Sequence, residues 1–302
     1  MTSATAAPAA EADLHTTGAA LASPAERPAA VPSRAGRLLR SGAFVSGGVI
    51  VLFWVCCALF GPFLVPYDPY GDDLMNTLAA PSAAHWFGTD QLGRDILSRV
   101  VAGARPILSV APLATLLATA AGTTLGLLTG YSGGWLDRLV GRLIEVLLAL
   151  PLIVVALLVL VALGPSSTTV IGVIGLVFTP LIARTVRAAV LSECSLDYVA
   201  AAELRGEGRL HIMFAEILPN VLPPVLVETT VRLGYAIFTV ASLSFLGFGI
   251  QPPSADWGLA ISENYGMMTG GYWWTVSFAA GATASLVVGV NLMADGIQQV
   301  LE

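Results

Sequence analysis

Long apolar runs separated by short polar intervals set the pattern of this chain. The first runs from Ala43 to Val65, and others lie at about 106–130, 138–163, 167–187, 222–246 and 273–295. Each approaches the roughly 20 residues that a helix needs to cross a bilayer. Six membrane-spanning helices are therefore expected, in an all-α polytopic protein. Pro106, Pro112, Pro151 and Pro180 fall inside or at the ends of these runs. Proline is tolerated there because neighbouring helices can satisfy the carbonyls it frees. Residues 1–40 are rich in Ala, Pro, Ser and Thr and lack apolar periodicity, which predicts a disordered tail. Arg34, Arg37 and Arg40 then precede the first run as they would in a signal peptide. That run is too long for one, however, and no small-x-small site closes it. Val55-Cys56-Cys57 also lacks the small residues of a lipoprotein site. The expected organisation is a tail at 1–40, a first span with an extracytoplasmic loop at 41–105, and a core transmembrane domain at 106–302.

Composition agrees and narrows the classes. Apolar residues make up 56% of the 302, charged residues 11%, and mean hydropathy is +0.79. A soluble domain is about one-quarter charged, so too little polar surface remains to cover a soluble globule. All 14 basic residues are arginine, and the net charge of −6 argues against nucleic acid as a partner. Cys56, Cys57 and Cys194 form no CxxC or Cys/His cluster, and His15, His85 and His211 share no ligand spacing. No metal site is expected.

The arginines orient the chain. With alternating spans, Arg27, Arg34, Arg37, Arg40, Arg138, Arg142, Arg184, Arg187, Arg205 and Arg209 fall on one side. Arg94, Arg99 and Arg105 fall on the other, and Arg232 lies within a span. The positive-inside rule then places both termini in the cytoplasm of a multi-pass plasma-membrane protein. Arg138, Arg142 and Glu145 share one helical face and read as an anchor at the cytoplasmic edge. Trp257, Tyr265, Tyr272, Trp273 and Trp274 read as an interfacial aromatic belt on the opposite side, some of them available to an external partner.

One cytoplasmic interval, 188–221, is far longer than a turn requires. Asp197 is placed to cap a small-residue helix containing Ala200, Ala201, Ala202 and Glu203, and Gly206 to supply a left-handed turn at its end. A second short helix is expected over Gly208–Ile217, where Leu210, Met213, Phe214 and Ile217 recur at i, i+3, i+4 and i+7. Leu218-Pro219 follows, and the proline is expected to interrupt the helix before the next span. An amphipathic helix below the membrane lies on lipid or fits a groove on a partner. Its polar face carries Glu207, Arg209, His211 and Glu216, mixed in sign, which favours the partner.

This interval resembles the EAA loop of permease subunits of ATP-binding-cassette importers, a pattern of EAA, three residues, Gly and a later Leu-Pro. Further matches are Phe87-Gly88-Thr89-Asp90-Gln91-Leu92-Gly93-Arg94-Asp95, Gly133-Gly134-Trp135-Leu136-Asp137-Arg138, Leu243-Ser244-Phe245-Leu246-Gly247-Phe248-Gly249 and Asn291-Leu292-Met293-Ala294-Asp295-Gly296. Together they resemble the dipeptide, oligopeptide and nickel class, and the second permease of its pair. The resemblance implies a type I importer fold with a cytoplasmic coupling helix and a channel for di- or oligopeptides. It also implies three kinds of partner: a second homologous permease, two ATPase subunits or one fused ATPase, and an extracytoplasmic substrate-binding protein. The rest of the surface would face membrane lipid. ATP and Mg would bind those ATPase subunits, with no cofactor on this chain. The acid that opens EAA is Ala200 here, and Glu203 stands one helical turn along.

Glu228 and Arg232 are spaced i, i+4 in one span with the acid first, as an intrahelical ion pair requires. They either line a translocation path or pair near the cytoplasmic end. No GxxxxGK[ST], Gly-x-Ser-x-Gly or His-Glu-x-x-His is present, so a non-enzymatic pore subunit is expected. A nickel or metallophore permease of the same class is the alternative. A stand-alone secondary transporter fits less well, for want of an internal repeat and mid-membrane coupling acids.

Overall fold

The computed structural model describes residues 37–301. The expected tail lies outside them, except for residues 37–40. The described residues form helices and loops with no strand, only an isolated bridge between Thr89 and Asp95. The helices are α1 (Gly42–Leu64), α2 (Ile96–Ser132), α3 (Gly134–Leu148), α4 (Leu152–Leu163), α5 (Ser167–Glu193), α6 (Asp197–Leu204), α7 (Arg209–Phe245), α8 (Trp257–Asn264) and α9 (Trp274–Leu301). Five of them, α1, α2, α5, α7 and α9, are long and apolar enough to cross a membrane, and the bent pair α3–α4 counted as one span makes a sixth. Side-chain caps start several: Ser41 on α1, Asp95 on α2, Ser166 on α5 and Asp256 on α8 each accept an N–H from the first turn.

The span expected over 138–163 is not one helix. α3 and α4 meet at 91°. Pro151 lacks an N–H and adopts an extended backbone (φ −60°, ψ 118°), so it ends one helix and starts the next. At 12 residues, α4 rises about 18 Å, short of the ~30 Å hydrocarbon core. α3 is amphipathic, and Arg142 pairs with Glu145 at 3.3 Å on its exposed side. Its first turn is tied to α5 by two bonds from the Arg187 guanidinium to Asp137, at 2.5 and 2.8 Å.

α2 and α5 form the most extensive helix pair. A Cβ on Gly122, Gly126 or Gly130 would stand 2.6–2.7 Å from Ile182, Val186 and Val190 respectively. The three glycines recur every four residues, so one glycine stripe on α2 receives the β-branched ridge of α5. In lipid, where apolar surface gains little by leaving the solvent, such close backbone approach drives association. α7 joins this pair, and the Thr119 and Thr229 hydroxyls meet at 3.1 Å. On the other side α1 packs on α9, where Gly47 and Gly289 are in backbone contact and the Trp54 indole donates to Ser285 at 2.9 Å.

The loops gather at two ends. At one, segment 65–95 folds over α8. Tyr67 N donates to Ser98, Gln91 N to Asn264, and the Trp274 indole to Thr89 O. The Gly88-Thr89-Asp90 and Gly93-Arg94-Asp95 elements build this knot. Asp90 accepts the N–H groups of Leu92 and Arg94, and Asp95 caps α2 and takes His85 at 3.0 Å. Gly93 has φ +76°, and a Cβ there would lie 1.7 Å from the Asp73 carbonyl oxygen. The Leu243–Phe248 run ends α7 in a Schellman turn: Phe248 N donates to Leu243 O and Gly247 N to Ser244 O. Trp257 belongs to no interfacial belt. It is fully buried against the edge of Trp54, and its indole donates to Val100 O at 2.8 Å. Tyr265 and Trp273 are exposed.

Two outcomes follow from this packing. Gly126→Val should destabilise the helix pair by about 1–3 kcal/mol, as overpacking does, while Gly141→Ala, facing open space, should be neutral. Thermal unfolding in detergent reads both. Burial pushes the Asp256 carboxyl up to about 6, against the pull of the Leu259 N–H and the Ser244 hydroxyl. The folded protein therefore holds that proton more tightly than the unfolded chain, whose value is 3.8. The contribution of this group to stability is fully present below about pH 4 and is lost as pH rises through 6, by at most about 3 kcal/mol. Asp256→Asn keeps the cap acceptor and should flatten that decline, gaining stability at pH 7.5 but not at pH 4. Unfolding midpoints across this range decide it.

Candidate functional site

At the end opposite the knot lie the α2–α3 turn, the described start of α1, the end of α9 and the interval 194–208. Ser41 at the start of α1 hydrogen-bonds Gln299 of α9, and Gly296 abuts Phe44. Here α6 projects as a separate short helix. Val199 and Ala202 are buried inside the chain, while Asp197, Ala200, Ala201, Glu203 and Leu204 are exposed. Asp197 lies in the first turn of α6 and does not cap it, since Leu196 holds the cap position without a side-chain bond. Gly206 is where the sequence placed it. With φ +75° it closes a Schellman turn, its N–H donating to Glu203 O and that of Glu207 to Ala202 O.

The stretch from Arg209 onward departs from expectation in two ways. It runs without a break into the next span, so Pro219 interrupts nothing. Residues Ile212–Ile217 form a π-helix that ends two residues before Pro219. The widened turn gives the proline ring room against the preceding carbonyls, and its missing N–H falls where the bonding pattern already shifts. The same turn rotates the following side chains, so Leu210, Met213, Phe214 and Ile217 do not share one face. Met213 and Ile217 are buried with Ile212, Leu218 is half-buried, and Leu210 and Phe214 are 67% and 45% exposed. With Leu196 and Leu204 (90% exposed) they leave an apolar surface facing outward from this end.

Charged groups brace the interval from within. The Tyr131 hydroxyl at the end of α2 donates to Glu203 at 3.1 Å, and Tyr198 donates to Glu193 at 2.8 Å. Burial and that carboxylate push the Tyr198 phenol up to about 12, so it stays a donor. Arg205 reaches Glu207 at 2.7 Å and Glu216 at 3.7 Å, and His211 lies 3.7 Å from Glu207. Glu207, His211 and Glu216 place ligand atoms within 4.8 Å of one another. Sequence spacing did not reveal this group, because the Schellman turn and the π-helix bring its members together. Arg205 already meets the charge of both acids.

Glu228 and Arg232 do pair, at 2.6 Å within α7, and both are largely buried. Arg232 also lies over the Tyr235 ring at 5.4 Å. It opens on a cavity of about 550 Å³ walled by Ile153 and Ala156 of α4, Val177 and Phe178 of α5, and Tyr235. Glu228 faces a second, smaller cavity beside Pro224 and Leu301. The pair therefore stands between two cavities, away from the motif loops at either end.

Comparison with known proteins bears on this arrangement. The family described as binding-protein-dependent transport system inner membrane component matches residues 122–302. The N-terminal TM domain of oligopeptide transport permease C matches residues 35–81. A dipeptide transport system permease protein of Alkalihalophilus pseudofirmus is 37% identical, over 88% of this chain and 87% of its own. A di/tripeptide transport system permease protein of Pseudomonas aeruginosa is 38% identical over 85% and 87%. A glutathione transport system permease protein of Pectobacterium atrosepticum is 37% identical over 88% of each chain.

Proposed function

We infer the following from the premise that the chain belongs to the binding-protein-dependent transport system inner membrane component family, the type I permease fold of ATP-binding-cassette importers. Its cargo is a short peptide, as the names of its relatives suggest. It works beside a second permease, with ATPase subunits at the α6 end and a binding protein at the knotted end. Both termini are cytoplasmic, in keeping with the arginine bias. ATP and Mg stay on the ATPase subunits.

The observation that carries this reading is the set of exposed apolar side chains Leu196, Leu204, Leu210 and Phe214 in and beside α6. Cytosolic ATPase subunits present grooves that such a knuckle can fill, and burying it gives the firm docking a lever needs. To reverse a two-state bundle the motor must bias it by several kcal/mol. α6 is held by Tyr131 of α2 and Glu193 of α5, and Arg209 begins α7. Displacing the knuckle therefore moves the three central helices as one body. The Glu228–Arg232 pair would line the path as α7 tilts against the second permease.

Leu204→Asp and Phe214→Asp should each reduce peptide uptake by tenfold or more, about 1.4 kcal/mol or above, with membrane insertion unchanged. Co-purification should show the ATPase subunits lost. Retained uptake with the ATPase still bound would remove the knuckle from the contact. Arg232→Leu should lower uptake while leaving the subunits assembled. Wild-type uptake by that variant would take the pair out of the path. Uptake of chelated nickel in place of defined peptides would reassign the cargo.

A further inference from the structure

A cavity of about 520 Å³ lies between the end of α1, the start of α2 and the chain reversal at 65–70. Cys57, Ala58, Gly61, Val65 and Ala102 give it apolar walls, and Arg105, Asp68, Tyr67 and Tyr70 give it polar ones. Arg105 is an exposed guanidinium with no hydrogen bond or ion pair among the described residues. The other two arginines at this end are both paired: Arg94 with Asp72 at 2.6 Å, and Arg99 with Glu263 at 3.3 Å and Asp90 at 3.7 Å.

Depth makes the isolated arginine informative. Gly61 lies against Val101 across the helix pair, so Arg105, one turn further along α2, stands level with Cys57 and Ala58. That is about 9 Å inside the end of α1 at 1.5 Å per residue. The adjoining face of α1 is exposed, with Phe60 at 55% and Phe63 at 87%. An unpaired arginine beside a lipid-facing surface reaches toward the headgroups and needs an anion there. A phosphodiester fits the guanidinium fork.

Asp68 sets the rest of the headgroup. One of its oxygens accepts Tyr70 N at 3.0 Å, and the other has no partner among the described residues. A cavity with one unpaired cation, one half-used acid and two phenol rings has the charge pattern of a zwitterion. The acid and the Tyr70 ring favour an ammonium group, and the arginine a phosphate; the Tyr67 ring lies against His85. We propose that this cavity binds a membrane phospholipid with a phosphoethanolamine headgroup, the phosphate on Arg105 and the ammonium on Asp68. The acyl chains then run down the apolar face of α1. The lipid wedges the joint between α1 and α2 in the leaflet at the C-terminal end of α1. This assignment depends on neither the cargo nor the direction of transport.

The test uses the complete importer purified in detergent. It is titrated with palmitoyl-oleoyl phosphatidylethanolamine, phosphatidylglycerol or phosphatidylcholine, and retained lipid is counted by native mass spectrometry. The wild type should retain phosphatidylethanolamine above the other two. Arg105→Gln should weaken that retention about tenfold, as loss of a charged hydrogen-bond partner does, and Arg105→Lys should restore much of it. Asp68→Asn, on an exposed turn, should bring phosphatidylglycerol level with phosphatidylethanolamine, and it keeps the assignment testable if the arginine variants fail to assemble. Wild-type retention by Arg105→Gln would overturn the proposal. So would equal retention of all three lipids by the wild type, or displacement of the lipid by an equal concentration of free phosphoethanolamine, which would mark a site for soluble zwitterions.

Discussion

The contact on which the rest of this molecule depends is the backbone approach of α2 to α5. In water, two apolar helices associate because their surfaces leave the solvent. In a bilayer that gain is nearly absent, and packing must supply it. Gly122, Gly126 and Gly130 remove the side chains that would hold the helices apart, and Ile182, Val186 and Val190 occupy the space. The bidentate Asp137–Arg187 bond ties α5 to the first turn of α3, just past the end of α2. At the other end α2 is capped by Asp95, itself held by His85. Because both ends are fixed, the pair can act as a rigid post against which other elements move.

Around that post the polar groups are divided by role. Those at the knotted end are mostly consumed in holding segment 65–95 to α8 and α9, as the buried Thr89, Asp90, Asp95 and Arg99 show. Those at the α6 end brace a projecting element and leave its apolar tip free. A scaffold at one end and a knuckle at the other fits a chain that converts movement of a cytosolic partner into rearrangement of a bundle. Between these ends, α7 carries the largely buried Glu228–Arg232 ion pair.

How much of this was legible in the sequence depended on how local the governing physics is. Spans of 20 apolar residues announce themselves and five of six were located, but polar turns at their ends hid the full lengths, so that α2 begins at Ile96 rather than 106 and α7 at Arg209 rather than 222. Gly206 was readable because a left-handed turn after a short helix admits little else. The break at Pro151 was not, because a proline inside an apolar run is equally compatible with a tolerated kink. Only the amphipathic phase of α3 against the uniformly apolar α4 could have distinguished them. Pro219 misled in the opposite direction: a π-turn before it lets the helix continue, and no residue type signals a π-turn. The same turn broke the i, i+3, i+4, i+7 register, so Met213 and Ile217 turned inward while Phe214 stayed out. Trp257 was misplaced because composition cannot tell an interfacial tryptophan from one whose indole reaches a carbonyl across the bundle.

Ala200 stands where the EAA pattern that this interval resembles opens with an acid, and the proposed docking gives that departure a consequence. An acid at that exposed position would meet the motor through charge, and such a contact weakens with salt. Here Glu203, one helical turn along, accepts the Tyr131 hydroxyl. The large apolar side chains exposed at this end are Leu196, Leu204, Leu210 and Phe214, beside the exposed Asp197 and Arg205. Contact through such a surface draws on the hydrophobic effect, which is non-directional and strengthened rather than screened by kosmotropic salts. Specificity must then come from shape, set by the angle at which α6 leaves α5 and by the turn at Gly206. On the proposed docking, the alanine moves the burden of recognition from a single charge to the geometry of the loop, which the Tyr131 and Tyr198 hydroxyls hold in place.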